Sequence, residues 1–103
     1  MEIIFAQSKI EEFILKLDIH TISRIDQMIK RLETKGNELR MPHSKKLSKG
    51  LFELRIKGAE HIRIIYAYNN NQAVLLHIFS KKRWAIKRSD IEYAQNVLKQ
   101  YLA

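Results

Sequence analysis

The sequence predicts an α+β domain in which helices flank a small antiparallel sheet, and three observations carry that prediction. The stretch from Lys45 to Lys82 holds three strand-like runs joined by two short turns. The chain before it and the chain after it both place apolar residues at helical spacing. Strands and helices that segregate along a chain give this class, whereas regular alternation would give a parallel sheet. At 103 residues there is room for one domain, taken as 1–103, with one core.

Glu2 to Gln7 (EIIFAQ) is a short apolar run suited to an edge strand. Ser8 and Glu11 have the spacing of a capping box, which opens a helix carrying the stripe Ile10, Phe13, Ile14 and Leu17. A break over Asp18 to Thr21, with an exposed His20 in the turn, leads to a second helix with Ile22, Ile25, Ile29 and Leu32 as its buried face. Gly36 stops it, and Lys30, Arg31 and Lys35 suit the negative end of its dipole. The two helices are expected to form a hairpin over one face of the sheet, with no chemistry of their own.

Asn37 to Lys49 reads as a polar connection, and its lysines Lys45, Lys46 and Lys49 suit either gatekeeping at a sheet edge or contacts to a phosphate backbone. Leu51 to Lys57 then alternates, with Phe52, Leu54 and Ile56 on one face and Glu53, Arg55 and Lys57 on the other. His61 to Tyr68 alternates likewise after a turn at Gly58, and Ala73 to Phe79 follows the turn Asn69 to Asn71. The last run is apolar on both faces except for His77, as expected of a strand covered from both sides. Symmetrical turns about Ala59 and Asn70 would pair Arg55 with Arg63 and Arg63 with His77 on one face. Like charges opposite each other are destabilising, so that register implies an anion that receives them, and a one-residue slip in either turn would undo it.

Lys81, Lys82, Arg83, Lys87 and Arg88 follow within eight residues, with Trp84 among them. Trp84 could stack on a nucleobase, but a single Trp in so small a chain more often plugs the core or meets a protein partner. Ser89 is placed to cap a final helix whose stripe is Ile91, Ala94, Val97, Leu98 and Tyr101.

The net charge is +8. Residues 1 to 44 hold seven basic and seven acidic side chains, which cancel, while residues 45 to 103 hold twelve bases and four acids. A basic footprint confined to one part of a small domain favours a polyanion, most simply nucleic acid, although it also serves solubility or an acidic protein partner. No apolar run approaches the roughly 20 residues that cross a bilayer, so no membrane partner is expected. No secretory signal is visible at the N-terminus, which makes the cytoplasm the expected location. The absence of cysteine removes disulfides, thiolate nucleophiles and cysteine metal sites. The four histidines lack ligand spacing, and neither a metal nor another cofactor is expected.

The segment from Lys46 to Leu102 resembles the RelE/ParE toxin superfamily, specifically its HigB-like, phage-derived branch. The matching marks are K-L-x-x-G-L-x-E-L-R at Lys46 to Arg55, R-x-x-Y at Arg63 to Tyr66, the run L-L-H-x-F-x-K-K at Leu75 to Lys82, and the closing amphipathic helix. The resemblance implies a toxin of a type II toxin–antitoxin pair that cleaves mRNA, typically on the ribosome, and is silenced by a cognate antitoxin. It also implies that Arg55 and Arg63 hold the scissile phosphate and that Lys81 and Lys82 match the family's basic residues after the last strand. Two positions depart from the pattern: RelE proteins carry a lysine where Glu53 stands here, and their tyrosine near the start of the last helix is matched only loosely by Tyr93.

Cutting RNA without a metal requires the 2′-hydroxyl to attack its own phosphorus, with a base on that hydroxyl, cations on the phosphate and an acid for the leaving 5′-oxygen. Arg55 and Arg63 can supply the cations, His77 or Glu53 the base, and Lys81 or Lys82 can stabilise the leaving group. The plainer roles are a salt bridge from Glu53 to Arg55 and a satisfied sheet position for His77. Lys45, Lys46, Lys49, Lys81, Arg83 and Trp84 would bind the RNA around this centre. Two other functions share these features: a ParE-like inhibitor of DNA gyrase without nuclease activity, and a non-catalytic nucleic-acid-binding module.

Overall fold

The computed structural model describes residues 1–58, 61–80 and 86–103. Its elements run β1 (Glu2–Phe5), α1 (Ser8–Leu15), α2 (Ile19–Lys35), a 3₁₀ turn (Gly36–Glu38), β2 (Ser44–Lys46), β3 (Leu51–Arg55), β4 (Ile62–Asn69), β5 (Gln72–Ser80) and α3 (Arg88–Leu102). The strands form one five-stranded sheet in the order β1-β5-β4-β3-β2. β2 to β5 are antiparallel neighbours, and β1 lies parallel to β5, with Ile3 opposite Ala73 and Phe5 opposite Leu75.

The α+β class, the meander of the three long strands and the N-terminal edge strand are as expected. The polar connection, however, contains a further strand. Ser44, Lys45 and Lys46 pair with Leu54, Glu53 and Phe52, forming the edge opposite β1. Its exposed lysines are what an edge strand uses to discourage further pairing.

Period-two alternation divides the core into two layers. Leu54, Ile56, Ile62, Ile64, Tyr66, Ala73, Leu75 and Ile78 face α1 and α2, where Ile10, Ile25 and Leu32 meet them. Leu51, Ile65, Ala67, Val74 and Leu76 face α3, covered by Ala94, Ile91, Val97, Leu98 and Tyr101. Each fully buried Leu or Ile side chain contributes about 1.5–3 kcal/mol of transfer free energy, which makes this alternation decisive for the sheet's register.

The helix starts differ from the sequence expectation. Gln7 occupies the N-cap of α1 and Lys87 that of α3, neither with a side-chain cap, so Ser8 and Ser89 lie inside the first turns. α2 is capped by Asp18, whose carboxylate accepts hydrogen bonds from the Thr21 backbone N–H (2.9 Å) and the Thr21 hydroxyl (2.8 Å). His20 therefore belongs to the first turn of α2, where it is exposed. Gly36 ends α2 with a φ of 53°, a conformation open to glycine at little cost.

Candidate active site

The turn arithmetic holds for the first hairpin and fails for the second. Arg55 lies directly opposite Arg63, as expected. Arg63 then faces Phe79 on its other side, and His77 lies opposite Ile65. Two offsets cause this. The turn is the two-residue Asn70–Asn71, with Asn69 opposite Gln72, and β5 bulges by one residue between Leu75 and His77. The first offset alone would turn His77 towards α1 and α2. The bulge at Leu76 returns it to the face that carries Arg55 and Arg63, re-aiming a side chain in the way bulges commonly do beside functional centres. His77 and Arg63 are thus diagonal neighbours, within reach of long side chains at roughly 7–8 Å between backbones.

Glu53 occupies the middle of this face, opposite Ile65 on one side and Lys45 on the other. It is only 1% exposed, with Arg55 Nε 3.5 Å from its Oε1 and Arg63 Nε 3.7 Å from its Oε2. The anion inferred from the facing arginines is therefore supplied in part by the protein itself. Arg63 is 8% exposed and donates from Nη1 to the carbonyl of Ile62 at 3.1 Å. Burial lowers its pKa, the Glu53 carboxylate acts in the opposite direction, and Arg55 adds to the lowering. Neither Glu53 Oε2 nor Arg63 Nε has a hydrogen-bond partner among the described residues. Arg55, with about a quarter of its side chain exposed, is the more accessible cation.

His77 is held by α3. Its Nε2 donates to Asp90 Oδ1 at 2.9 Å, and its ring stacks on Phe79 and tilts against Tyr93 at 4.7 Å between centroids. An ionised carboxylate can only accept, so this contact places a proton on Nε2 and leaves Nδ1 as the acceptor in the neutral ring. Gln7 Nε2 donates to the carbonyl of Leu76, the bulge residue, and lies 2.9 Å from the Tyr93 hydroxyl. The start of α1, the bulge and the start of α3 are tied together at one point. Sequence reasoning missed both Asp90 and Gln7. An acid in the first turn of a helix looks like an ordinary complement to the dipole, and a glutamine ending a strand carries no signal.

The remaining expected site residues divide. Lys45 joins the face of Glu53 by register, whereas Lys46 pairs with Phe52 and takes the opposite face. Lys49 sits in the β2–β3 turn with a φ of 55°, in a shallow groove shared with Arg88 and Glu92. Lys81, Lys82, Arg83 and Trp84 lie outside the described residues. Tyr66, the tyrosine of the R-x-x-Y run, points away from Arg63. Its hydroxyl is buried 2.5 Å from the Ser44 hydroxyl, and burial raises its pKa far above the ordinary phenol value.

Residues 12–99 match the family described as Phage derived protein Gp49-like (DUF891). The chain belongs to the Gp49-like family. No curated protein matches it. The match spans all of the Gp49-like chain except β1, Ala6, Gln7, the start of α1 and the last residues of the chain, and so includes Lys45, Glu53, Arg55, Arg63, His77 and Asp90 but not Gln7. Among the described residues of this Gp49-like protein, no helix is long and apolar enough to cross a membrane, and no three His, Asp or Glu side chains gather closely enough to hold a metal ion.

Proposed function

We propose that this chain is the toxin of a type II toxin–antitoxin pair, an endoribonuclease of the RelE type that cleaves mRNA on the ribosome by attack of the 2′-hydroxyl and is neutralised by a cognate antitoxin. The observation that carries the reading is the single sheet face on which Arg55, Glu53 and Arg63 stand beside a histidine backed by Asp90. The Gp49-like family, associated with toxin-like proteins, and the basic second half of the chain support it.

In this reading His77 Nδ1 takes the proton of the 2′-hydroxyl as its oxygen bonds to phosphorus. Arg55 and Lys45 stabilise the charge that grows on the phosphoryl oxygens, and the bond to the 5′-oxygen breaks. The products are a 2′,3′-cyclic phosphate and a 5′-hydroxyl: Lys82 is assigned to stabilise the departing oxygen and give it a proton, and the proton taken up by His77 passes to solvent. Asp90 is a positioning residue that fixes the ring and its tautomer. Glu53, buried between two guanidiniums, holds Arg55 and Arg63 in place and does not serve as the base. Arg63 acts through Glu53 and through its field, since little of it reaches solvent.

The test is induced expression without a partner, with transcript 5′ ends mapped and plasmid supercoiling measured on the same cultures. Growth arrest with new 5′ ends is expected. Normal growth at confirmed soluble expression sinks the toxin reading, and altered supercoiling without new ends replaces the nuclease by a gyrase inhibitor.

A further inference from the structure

Between α2 and the end of β3 runs a groove whose lining includes Arg24, Met28, Arg31, His43, Arg55 and Lys57. Its volume of about 240 Å³ lies below the roughly 300–1,000 Å³ of small-molecule pockets, a size for a passing chain segment and not for an enclosed ligand. Arg24 and Arg31 are two helical turns apart on one face of α2, about 10 Å along its axis. No acidic residue lines the groove among the described residues.

Each of the three guanidiniums makes an uncharged contact. Arg24 Nη1 donates to the carbonyl of Lys57 (3.1 Å), Arg31 Nη1 to His43 Nε2 (3.1 Å), and Arg55 Nη1 reaches Met41 Sδ (3.6 Å). Arginine has no acceptor, so in the second contact Nε2 of His43 is the acceptor. These contacts orient the three forks while engaging only a minority of their five N–H groups. Arg55 belongs to both places: its Nε faces Glu53, and the residue lines the groove.

Resting on the endonuclease reading, we infer that this groove is a second phosphate-binding subsite, which takes the backbone of the single-stranded RNA where the strand leaves the active face at Arg55. The strand passes around the end of β3 from Lys45 and Arg55 to Arg31 and Arg24. Helix α2 supplies these contacts although the first 44 residues carry no net charge, because two of its four Lys and Arg side chains, Arg24 and Arg31, line the groove while its acids Asp26 and Glu33 do not. Phosphate contacts of this kind position a strand without reading its sequence.

The test measures binding of a fluorescent single-stranded oligoribonucleotide as salt is varied, for the parent, for Arg24→Gln/Arg31→Gln and for Arg24→Lys/Arg31→Lys, with thermal melting of each and cleavage by the parent as a separate assay. Each phosphate contact on a single strand contributes about −0.7 to the log–log salt slope, so the Gln pair is expected to bind more weakly with a slope shallower by about 1.4. The Lys pair keeps the charge and is expected to keep most of the slope. A Gln pair with the parent's affinity and slope overturns the subsite while leaving the nuclease standing. So does a Lys pair that loses as much as the Gln pair, since charge is then irrelevant. Polyglutamate that binds the parent and loses affinity in the Gln pair, while RNA binding is unchanged, assigns the groove to an acidic protein segment instead. A parent that binds RNA but never cuts it removes the nuclease reading without touching the groove.

Discussion

Glu53 and Arg63 bury a carboxylate oxygen and a guanidinium nitrogen 3.7 Å apart, with neither atom in a hydrogen bond among the described residues. The pair is close enough for strong attraction in a poorly solvated place, yet its geometry is unfinished. Arg55 shares the same carboxylate.

Arg63→Ala should therefore destabilise the domain. Breaking a buried pair by removing one partner costs roughly 3–5 kcal/mol, and because Arg55 remains beside Glu53 the lower end applies, about 3 kcal/mol. The relief of Arg55–Arg63 repulsion, expected from register alone, is outweighed by the stranded carboxylate. Urea unfolding of Arg63→Ala, Glu53→Gln and the double variant measures the coupling, and strictly additive losses would show that the pair does not interact.

His77→Ala should lower the cleavage rate by about 10² to 10⁴, the usual contribution of a positioned general base. Asp90→Asn should lower kcat by less, leave KM close to the parent's and melt like the parent. Single-turnover cleavage at saturating RNA provides the comparison. An Asp90→Asn protein whose only change is a lower melting temperature would reduce Asp90 to a structural contact.

The class and the layers were legible in the alternation at Phe52, Leu54 and Ile56 and in the helical stripes at Ile10 and Ile25, because a register slip would expose every residue that such a pattern buries. The pairing of Arg55 with Arg63 followed from a correctly centred turn. The position of His77 did not, since a bulge is an extra residue with no compositional mark, and three consecutive asparagines do not say which two make the turn. β2 escaped because a three-residue edge strand reading Ser-Lys-Lys has one buried side chain, Ser44, and that one is polar. Lys30, Arg31 and Lys35 read in sequence as complements to the α2 dipole and Arg24 carried no signal, and only the fold shows Arg24 and Arg31 lining one groove with Arg55.

Tyr66→Phe should cost about 1–2 kcal/mol, because it leaves the buried Ser44 hydroxyl without its 2.5 Å partner. Adding Ser44→Ala should recover much of that loss, since removing both partners is nearly neutral. RNA cleavage at a temperature where both variants are folded should match the parent. A rate collapse in well-folded Tyr66→Phe would return the tyrosine to the active face.

The Asp18 cap makes α2 sensitive to acid. Its carboxyl is held below the ordinary value of 3.8, first by the Thr21 backbone N–H and then by the Thr21 hydroxyl. A depressed folded-state pKa contributes stability that is present above the unfolded value and lost as pH falls through the folded one. The melting-temperature gap between the parent and Asp18→Ala should be constant from pH 7 to about 5 and close below about 4. A gap that persists unchanged at about pH 2 would mean that the carboxylate is not the stabilising form.

The parallel pairing of β1 with β5 joins residues about 70 positions apart, so Ile3 and Ile4 wait for Ala73 and Val74 before either can be sheltered. During synthesis the N-terminal strand and both hairpin helices emerge first, with Ile10, Ile25 and Leu32 still lacking the sheet that buries them. Closing so long a loop is entropically costly and slow. The sheet thus remains incomplete, and the amphipathic helices open to capture, until β5 has been made. Pulse-labelled amide exchange during refolding should protect β3, β4 and β5 before Ile3 and Ile4, and simultaneous protection would contradict this order.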